Sequence, residues 1–510
     1  MKRIPDSQEK RTVLNISFSL CYQIVSVVCG VLIPNLMIKK FGSELYGAST
    51  SILQFLSYIT LLEGGVGGVA RAALYKPLAE KNDELVSDII REIKGFYKVV
   101  AYIFIVYVLI LACSFSKISR IESLDWLSTF ALVLIMSLST LAQYYFGVSY
   151  TVLIIADQRN YVSDFISILN MILNTVLIVV LVYIDCSFLI VKLVSSCVFV
   201  LRPVLLAIYV RRNYSLGSCK NGKERYLKQK WVGLGQHIAY FLYSNTDVVV
   251  LTLFSNLRIV AVYSVYSLIC TSMQSLILSF CSGMEANFGF FLAKNEKEKF
   301  LRVFENYETL VSIIATTLLS VTVVMILPFI GLYTAGVNDV NYIEPLFSVL
   351  MVAVVFVSCV REPYNCLVVA AGAFLQTQAA AYGEAVLNVV VSILLVGRFG
   401  LVGVAIGTLI AVVYRTVYHV VFLSRNILLR PMHLFFKRQM ANAFAFLAVW
   451  FLGRKVVSLF SMTNYIKWII CSSIVTAIAV ACVLLINLMF YPKTFNNLRD
   501  FLAKKNRSKA

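Results

Sequence analysis

Fourteen apolar runs, each about as long as a bilayer is thick, dominate this chain and leave one class of fold open to it. A spanning helix needs about 20 predominantly apolar residues. Runs of that kind cover 12–38, 46–70, 96–116, 127–156, 164–184, 189–210, 232–254, 260–282, 308–331, 343–369, 382–398, 402–424, 441–460 and 466–490. Of the 510 residues, 60% are hydrophobic and 14% charged, against about half and about a quarter in a soluble domain. One globular core cannot enclose that much apolar surface, so lipid must solvate it. In hydrocarbon, backbone groups must be satisfied within their own segment, which makes each run a helix. The expected fold is an all-α polytopic membrane protein of about 14 transmembrane helices.

The net charge of +19 would suggest nucleic acid in a soluble protein, but its distribution gives another origin. With the spans numbered in order, 32 of the 45 Lys and Arg residues fall on the side of the N-terminus and 9 on the other. The last four, Lys192, Arg202, Arg361 and Arg415, lie within spans. Positive charge marks the cytoplasmic side, so both termini are expected in the cytoplasm and no nucleic acid partner is needed. Lys2, Arg3, Lys10 and Arg11 precede an apolar run too long for a signal-peptide core, and no small-residue cleavage site follows; it reads as a retained first helix. The longest loop on the outer side, 332–341, has ten residues, leaving no extramembrane domain for chemistry in water. The 12 cysteines form no CxxC pair, and no HExxH, GxSxG or P-loop pattern is present. Neither a metal, a cofactor nor an enzyme active site is expected.

The two halves of the chain resemble each other at an offset near 214. Leu78-Ala79-Glu80-Lys81-Asn82 matches Leu292-Ala293-Lys294-Asn295-Glu296, Ala156 matches Ala371, Asn174 matches Asn388, and Arg202 matches Arg415. Spans 1–6 and 7–12 therefore read as two copies of one six-helix lobe. Six is even, so both copies enter from the same side. This gives a pseudo-two-fold axis along the membrane normal, with substrate expected between lobes. The expected organisation is an N-lobe at 1–210, a basic cytoplasmic linker at 211–231, a C-lobe at 232–424, two further helices at 425–490 and a basic tail at 491–510. The repeat also carries span 10 through Arg361-Glu362-Pro363, which places two charges inside the membrane.

The segment Ala370-Ala-Gly-Ala-Phe-Leu-Gln, then Glu384-Ala-Val-Leu-Asn388, then Arg398-Phe-Gly-Leu-Val-Gly-Val-Ala-Ile-Gly407 resembles the helix 10–12 region of bacterial polysaccharide flippases. Ile155-Ala-Asp-Gln-Arg-Asn160, Asn245-Thr-Asp247 and Ala261-Val-Tyr-Ser264 are similar to other parts of that family. It belongs to the multidrug/oligosaccharidyl-lipid/polysaccharide (MOP) exporter superfamily. The resemblance implies alternating access of two lobes around a polar, often cationic cavity in a bacterial inner membrane. It implies a lipid-linked oligosaccharide and membrane lipids as partners, and a polysaccharide polymerase and glycosyltransferases working on the same glycan. A multidrug or cation antiporter and a lipid II flippase share the fold and stand as alternatives. A membrane-embedded glycan polymerase would be expected to carry a larger outer loop.

Charge at mid-membrane costs about 3 kcal/mol or more, so each such group asks for a partner or a watery cavity. Glu63 lies beside Gly64, Gly65, Gly67 and Gly68, and Arg71 follows eight residues later, about 80° round a helix. The two are placed to line one cavity, with headgroup anchoring the alternative for Arg71. The glycines are expected to serve close packing rather than a bend. In span 7, Gln236, Tyr240, Tyr243 and Asp247 share a face. Asp247 is a candidate cation or proton carrier, set against a structural Asp bonded to a neighbour. Tyr263, Ser267, Cys270 and Gln274 share a face of span 8, and Glu285 follows as an ion-coupling candidate or a solvated acid. Adjacent Arg361 and Glu362 point about 100° apart, so one must meet a group on another helix; Pro363 is an expected kink. Glu384, a third coupling candidate, shares a face with Asn388. Arg202 and Arg415 either line the cavity or snorkel. His237 and His419 are expected at the interface, with Trp126, Trp231 and Trp468 in an aromatic belt.

Overall fold

Two stretches, 10–62 and 374–426, each run for 53 residues of apolar helix, a length of about 80 Å and more than twice the hydrocarbon thickness. Each is two spans joined at a glycine: Gly42 has φ 83° and Gly400 φ 52°, where a side chain is disfavoured. The computed structural model describes residues 8–64, 66–217, 234–279, 284–294 and 296–491. Most of the expected linker, nearly all of the tail, and Trp231 lie outside the described residues, as does the side chain of Gln236.

The helices among the described residues are α1 (Gln8–Ser57), α2 (Val66–Ala79), α3 (Asp83–Ser119), α4 (Trp126–Ala142), α5 (Val148–Ala156), α6 (Asn160–Tyr183), α7 (Phe188–Asn213), α8 (Leu234–Phe254), α9 (Leu257–Ser279), α10 (Met284–Ala293), α11 (Lys297–Tyr333), α12 (Pro345–Ala370), α13 (Phe374–Asn426), α14 (His433–Leu459) and α15 (Tyr465–Phe490). Eleven stretches are long and apolar enough to cross a membrane, two of them the double-length ones, and α8 supplies the remaining expected helix. The result is an all-helical, multi-pass membrane protein. On α3 the two faces show why. Tyr97, Ala101, Phe104, Val108, Leu111 and Phe115 are buried at helical spacing, while Val99, Tyr102, Val106 and Ile110 form an exposed apolar stripe that only lipid would cover. α3 starts 13 residues before the expected span because Asn82 caps it, its side chain accepting from Leu85 N at 3.0 Å. Hydropathy registers only the apolar part of a helix, not its capped polar start.

The repeat is written into the element boundaries. α3 and α11 are each 37 residues long and begin 214 residues apart. The same offset separates the ends of α2 and α10, the ends of α5 and α12, and the starts of α6 and α13. Gln158 and Gly372 take the same left-handed conformation just after α5 and α12, the usual helix terminator. As expected from the repeat, α12 runs unbroken through Arg361-Glu362-Pro363.

Packing divides the chain into two compact units, 1–261 and 262–510. α8, which opens the second repeat copy, packs in the first unit, so the repeat boundary and the packing boundary differ. The second half of α1 and α8 form an antiparallel seam. Ser51 and Thr252 hydroxyls lie 2.7 Å apart, Gln54 Nε2 donates to Asn245 Oδ1 at 2.6 Å, and Tyr58 stacks edge-on against Phe241. At the end of the seam, Glu44 meets Arg258 at 3.7 Å. In the second unit α13 folds back on itself at Gly400. A Cβ on Gly403 would meet Leu395 O at 2.5 Å and one on Gly407 would meet Ser392 Oγ at 2.3 Å, so these glycines let the two arms touch. α15 docks on α11, with Trp468 Nε1 donating to Met325 O at 3.2 Å.

Candidate functional site

Three of the expected residues meet in the first unit. Glu63, Arg71 and Arg202 line a cavity of about 520 Å³, together with Thr60, Tyr97, Gln143 and Tyr144. This volume falls within the usual range for ligand sites. Local backbone irregularity makes the space. α1 gives way to a 3₁₀ turn at Tyr58–Leu62, and Gly64 follows with φ 50°. A Cβ on Gly67 or Gly68 would touch nothing within 4 Å. Gly64 therefore bends the backbone, and Gly67 and Gly68 pack closely against nothing, which corrects the packing expectation for these three; Gly65 lies outside the described residues. Across the cavity, a π-helical turn at Gln143–Gly147 separates α4 from α5 and presents Gln143 and Tyr144. Such turns are frequent at functional sites.

Tyr144 donates to Glu63 Oε1, which fixes the carboxylate at the cavity wall. The arginines are held differently. Arg202 Nη2 reaches Ser163 Oγ at 3.4 Å and its buried Nε has no hydrogen-bond partner. Asp164 lies within electrostatic range of Arg202 but accepts from Asn160 Nδ2 at 3.0 Å. Among the described residues neither Arg71 nor Arg202 makes an ion pair with a carboxylate. The cavity thus combines two uncommitted guanidiniums with one tethered carboxylate, an arrangement suited to an anion. Tyr144→Phe removes a hydrogen bond to a charged acceptor and is expected to lower stability by about 2 kcal/mol. A thermal melt of the purified protein checks this, and an unchanged melting temperature contradicts it.

The second unit gathers another three. Arg361 Nη1 donates to Glu384 Oε1 at 2.5 Å, and Arg415 Nη1 to Glu384 Oε2 at 2.6 Å. Glu384 is 0% exposed. The expected partner of Arg361 on another helix is therefore Glu384 on α13, and Arg415 turns inward rather than snorkelling. His419, expected at the interface, is instead buried at 1% exposure in electrostatic range of both guanidiniums. Asn388, one turn from Glu384, donates to Thr408 Oγ1 at 3.1 Å. Glu362 accepts from Asn365 Nδ2 at 3.1 Å and lies in electrostatic range of Arg361 and of exposed Glu285.

On α8, Asp247 is buried, Tyr243 is half-buried and Tyr240 is exposed; none of them lines the cavity. Gln274 is half-buried on α9. His237 Nε2 lies 3.2 Å from Thr60 O. Sequence reasoning missed Tyr144, and with it a third cluster. Glu308, 2% exposed, receives Arg430 at 2.8 Å, Arg438 at 2.9 Å and Tyr364 Oη at 2.6 Å.

No family model and no curated protein matches the sequence. Solved structures do. The lipid II flippase MurJ in an inward closed conformation matches with a TM-score of 0.65 at 15% identity, over 94% of this chain and 100% of that one. An inward-facing multidrug resistance MATE family transporter of the MOP superfamily matches with a TM-score of 0.59 at 14% identity, over 81% and 98%. The MATE multidrug transporter DinF-BH gives 0.54 at 15%, over 84% and 100%. At these identities the likeness establishes the fold, the one that MurJ and MATE transporters share.

Proposed function

We propose that this chain is a flippase that moves an undecaprenyl-pyrophosphate-linked oligosaccharide across a bacterial inner membrane by alternating access. The observation that carries the reading is the pair of guanidiniums, Arg71 and Arg202, lining one cavity without a carboxylate partner among the described residues. Arginine in a membrane interior is a functional group by default, and its planar fork matches phosphate oxygens. At about 1.5–3 kcal/mol per charge-assisted hydrogen bond, one such bond from each arginine contributes a factor of about 10²–10⁴ in affinity. A drug-cation antiporter calls for the opposite balance of charge. MurJ, whose fold covers nearly the whole chain, is a lipid II flippase, which favours a lipid-linked substrate. Of the acids read from sequence as coupling candidates, Asp247 is proposed to carry a coupled cation, because Glu285 is exposed and two arginines already hold Glu384.

The test is the leaflet distribution of lipid-linked glycan in cells lacking the protein. Glycan is expected to accumulate on the cytoplasmic leaflet and to be cleared by the wild type. The Arg71→Ala/Arg202→Ala variant is expected to clear it at least 100-fold more slowly. Normal glycan traffic combined with retention of cationic dyes would overturn the reading in favour of the antiporter.

A further inference from the structure

We propose that Lys94 and Arg211, brought together on the hydroxyl of Tyr150, bind the phosphate of an anionic phospholipid at headgroup level in the first unit, with the lipid's hydrocarbon lying along α3. None of the three residues lines the cavity, so the site is a separate one, and it does not depend on the flippase reading.

The balance of charge is the first argument. Tyr150 on α5 is 5% exposed, so its ring is fixed in the core. Lys94 on α3 donates to Tyr150 Oη at 2.9 Å, and its Nζ lies over the ring at 4.4 Å from the centroid. Arg211, in the last turn of α7, bonds to the same hydroxyl. Among the described residues neither cation has a carboxylate partner. A phenol accepts hydrogen bonds but brings no negative charge. Nearby in the same unit the fold supplies an acid where cations meet: Asp157 takes Arg159 at 3.0 Å and Arg11 at 3.5 Å. At Tyr150, two positive charges converge on a neutral oxygen, and Lys94 is half-buried. An ammonium has three donors and a guanidinium five, so both cations have donors to spare for the oxygens of a phosphate.

Depth is the second argument. Trp126 opens α4 and is half exposed, and Tyr150 follows 24 residues later. That is about 36 Å along a helix, against about 30 Å of hydrocarbon. With Trp126 at one interface, Tyr150 reaches the headgroups of the other. Lys94 stands two residues before the apolar run 96–116, and Arg211 one residue after the run 189–210. The three residues therefore meet where lipid phosphates lie, on the side that carries most of the Lys and Arg residues. Basic groups at that depth attract anionic headgroups.

The third argument is shape. Steps of four from Lys94 along α3 give Lys98, Tyr102, Val106 and Ile110, a single ridge of the helix. Lys98 is exposed and lies over the Tyr145 ring at 5.5 Å, and the three residues that follow are exposed as well. The ridge thus passes from two cations to an apolar strip, which matches a phosphate carried on a hydrocarbon chain. Because Tyr150 already holds Lys94 and Arg211 in place, binding costs little side-chain entropy.

The test uses the purified full-length protein, with dioctanoyl phosphatidylglycerol as the probe and isothermal titration as the readout. Lys94→Gln/Arg211→Gln is expected to weaken binding at least tenfold, and Lys94→Arg/Arg211→Lys to stay within threefold of wild type. Dioctanoyl phosphatidylcholine, which carries no net charge, is expected to bind wild type and Lys94→Gln/Arg211→Gln alike. Unchanged binding of phosphatidylglycerol to Lys94→Gln/Arg211→Gln overturns the proposal. An equal loss for phosphatidylcholine overturns it too, because the site would then not select for anionic charge. A loss confined to geranyl pyrophosphate overturns it in favour of a loading site for a prenyl pyrophosphate. Inorganic phosphate binding as tightly as phosphatidylglycerol would show that the α3 ridge contributes nothing and would overturn the lipid assignment. Should Lys94→Gln/Arg211→Gln fail to fold, Arg211→Gln alone alters only an exposed side chain. It is expected to weaken phosphatidylglycerol at least threefold, and unchanged binding overturns the proposal.

Discussion

Glu308→Ala is expected to destabilise the second unit by about 3–5 kcal/mol, the usual cost of removing one partner of a buried ion pair. Glu308 sits on α11. Its two oxygens bind Arg430 from the α13–α14 connection, Arg438 from α14 and the hydroxyl of Tyr364 from α12. Arg430 also donates to Tyr364 Oη at 2.8 Å and packs over the Phe304 ring at 4.9 Å. One carboxylate therefore joins four segments, and losing it strands two buried guanidiniums. Spread over a chain of this size, the loss corresponds to a fall of about 3–5 °C in melting temperature. The prediction has a second arm that separates charge from shape. The triple variant Glu308→Leu/Arg430→Met/Arg438→Met removes the ions together. It is expected to recover most of the lost stability, because apolar replacement of a whole buried ion cluster is close to neutral. Thermal melts of the two variants in detergent decide the matter. A triple variant no more stable than Glu308→Ala would show that the cluster holds the fold by hydrogen-bond geometry rather than by charge balance.

Glu308 also shows where sequence reading stops. The repeat and the apolar runs mark out the helices, because length, hydropathy and a fixed offset are all one-dimensional. Arg361 visibly needs a partner on another helix, because adjacent residues on a helix diverge. That the partner is Glu384 has no linear signal, because the contact depends on how α12 packs against α13. Arg430 and Arg438 count among the loop cations of 425–440, and Glu308 falls at the start of a span, so nothing in the sequence marks them as one cluster. The cavity is half legible. Helical spacing pairs Glu63 with Arg71, but that spacing assumes an intact helix. The structure breaks it with the turn at Tyr58–Leu62 and the left-handed Gly64, and the break makes the room. The π-helical turn carrying Tyr144 has no hydropathy signature, and only the repeat offers a hint. Gly147 in the first copy stands where the second has Arg361, so the two copies differ at this position.

Gly47→Ala is expected to reduce translocation at least tenfold while leaving the protein assembled in the membrane. A Cβ at Gly47 would lie 1.8 Å from the carbonyl oxygen of Leu257 and 2.8 Å from its carbon. Both atoms are backbone, so no rotamer change can relieve the overlap, and α1 must move away from the start of α9. Ser43, Gly47 and Ser51 recur every four residues along this face, the small-residue spacing that lets membrane helices approach closely. Pushing them apart should break the Ser51–Thr252 and Gln54–Asn245 contacts further along the seam. The functional consequence follows from the repeat. α8 is the first helix of the second copy, so this seam joins one copy to the other, and the alternating access proposed above requires such a seam to close and reopen. Glycine keeps the closed state accessible, and a single methyl group removes it. Cross-linking between cysteines at positions 51 and 252, with the native cysteines replaced, measures closure directly. Efficient cross-linking with Gly47 and a tenfold loss with Gly47→Ala is the expected result. Equal cross-linking in both would mean that the backbones part without cost and that this seam does not gate transport.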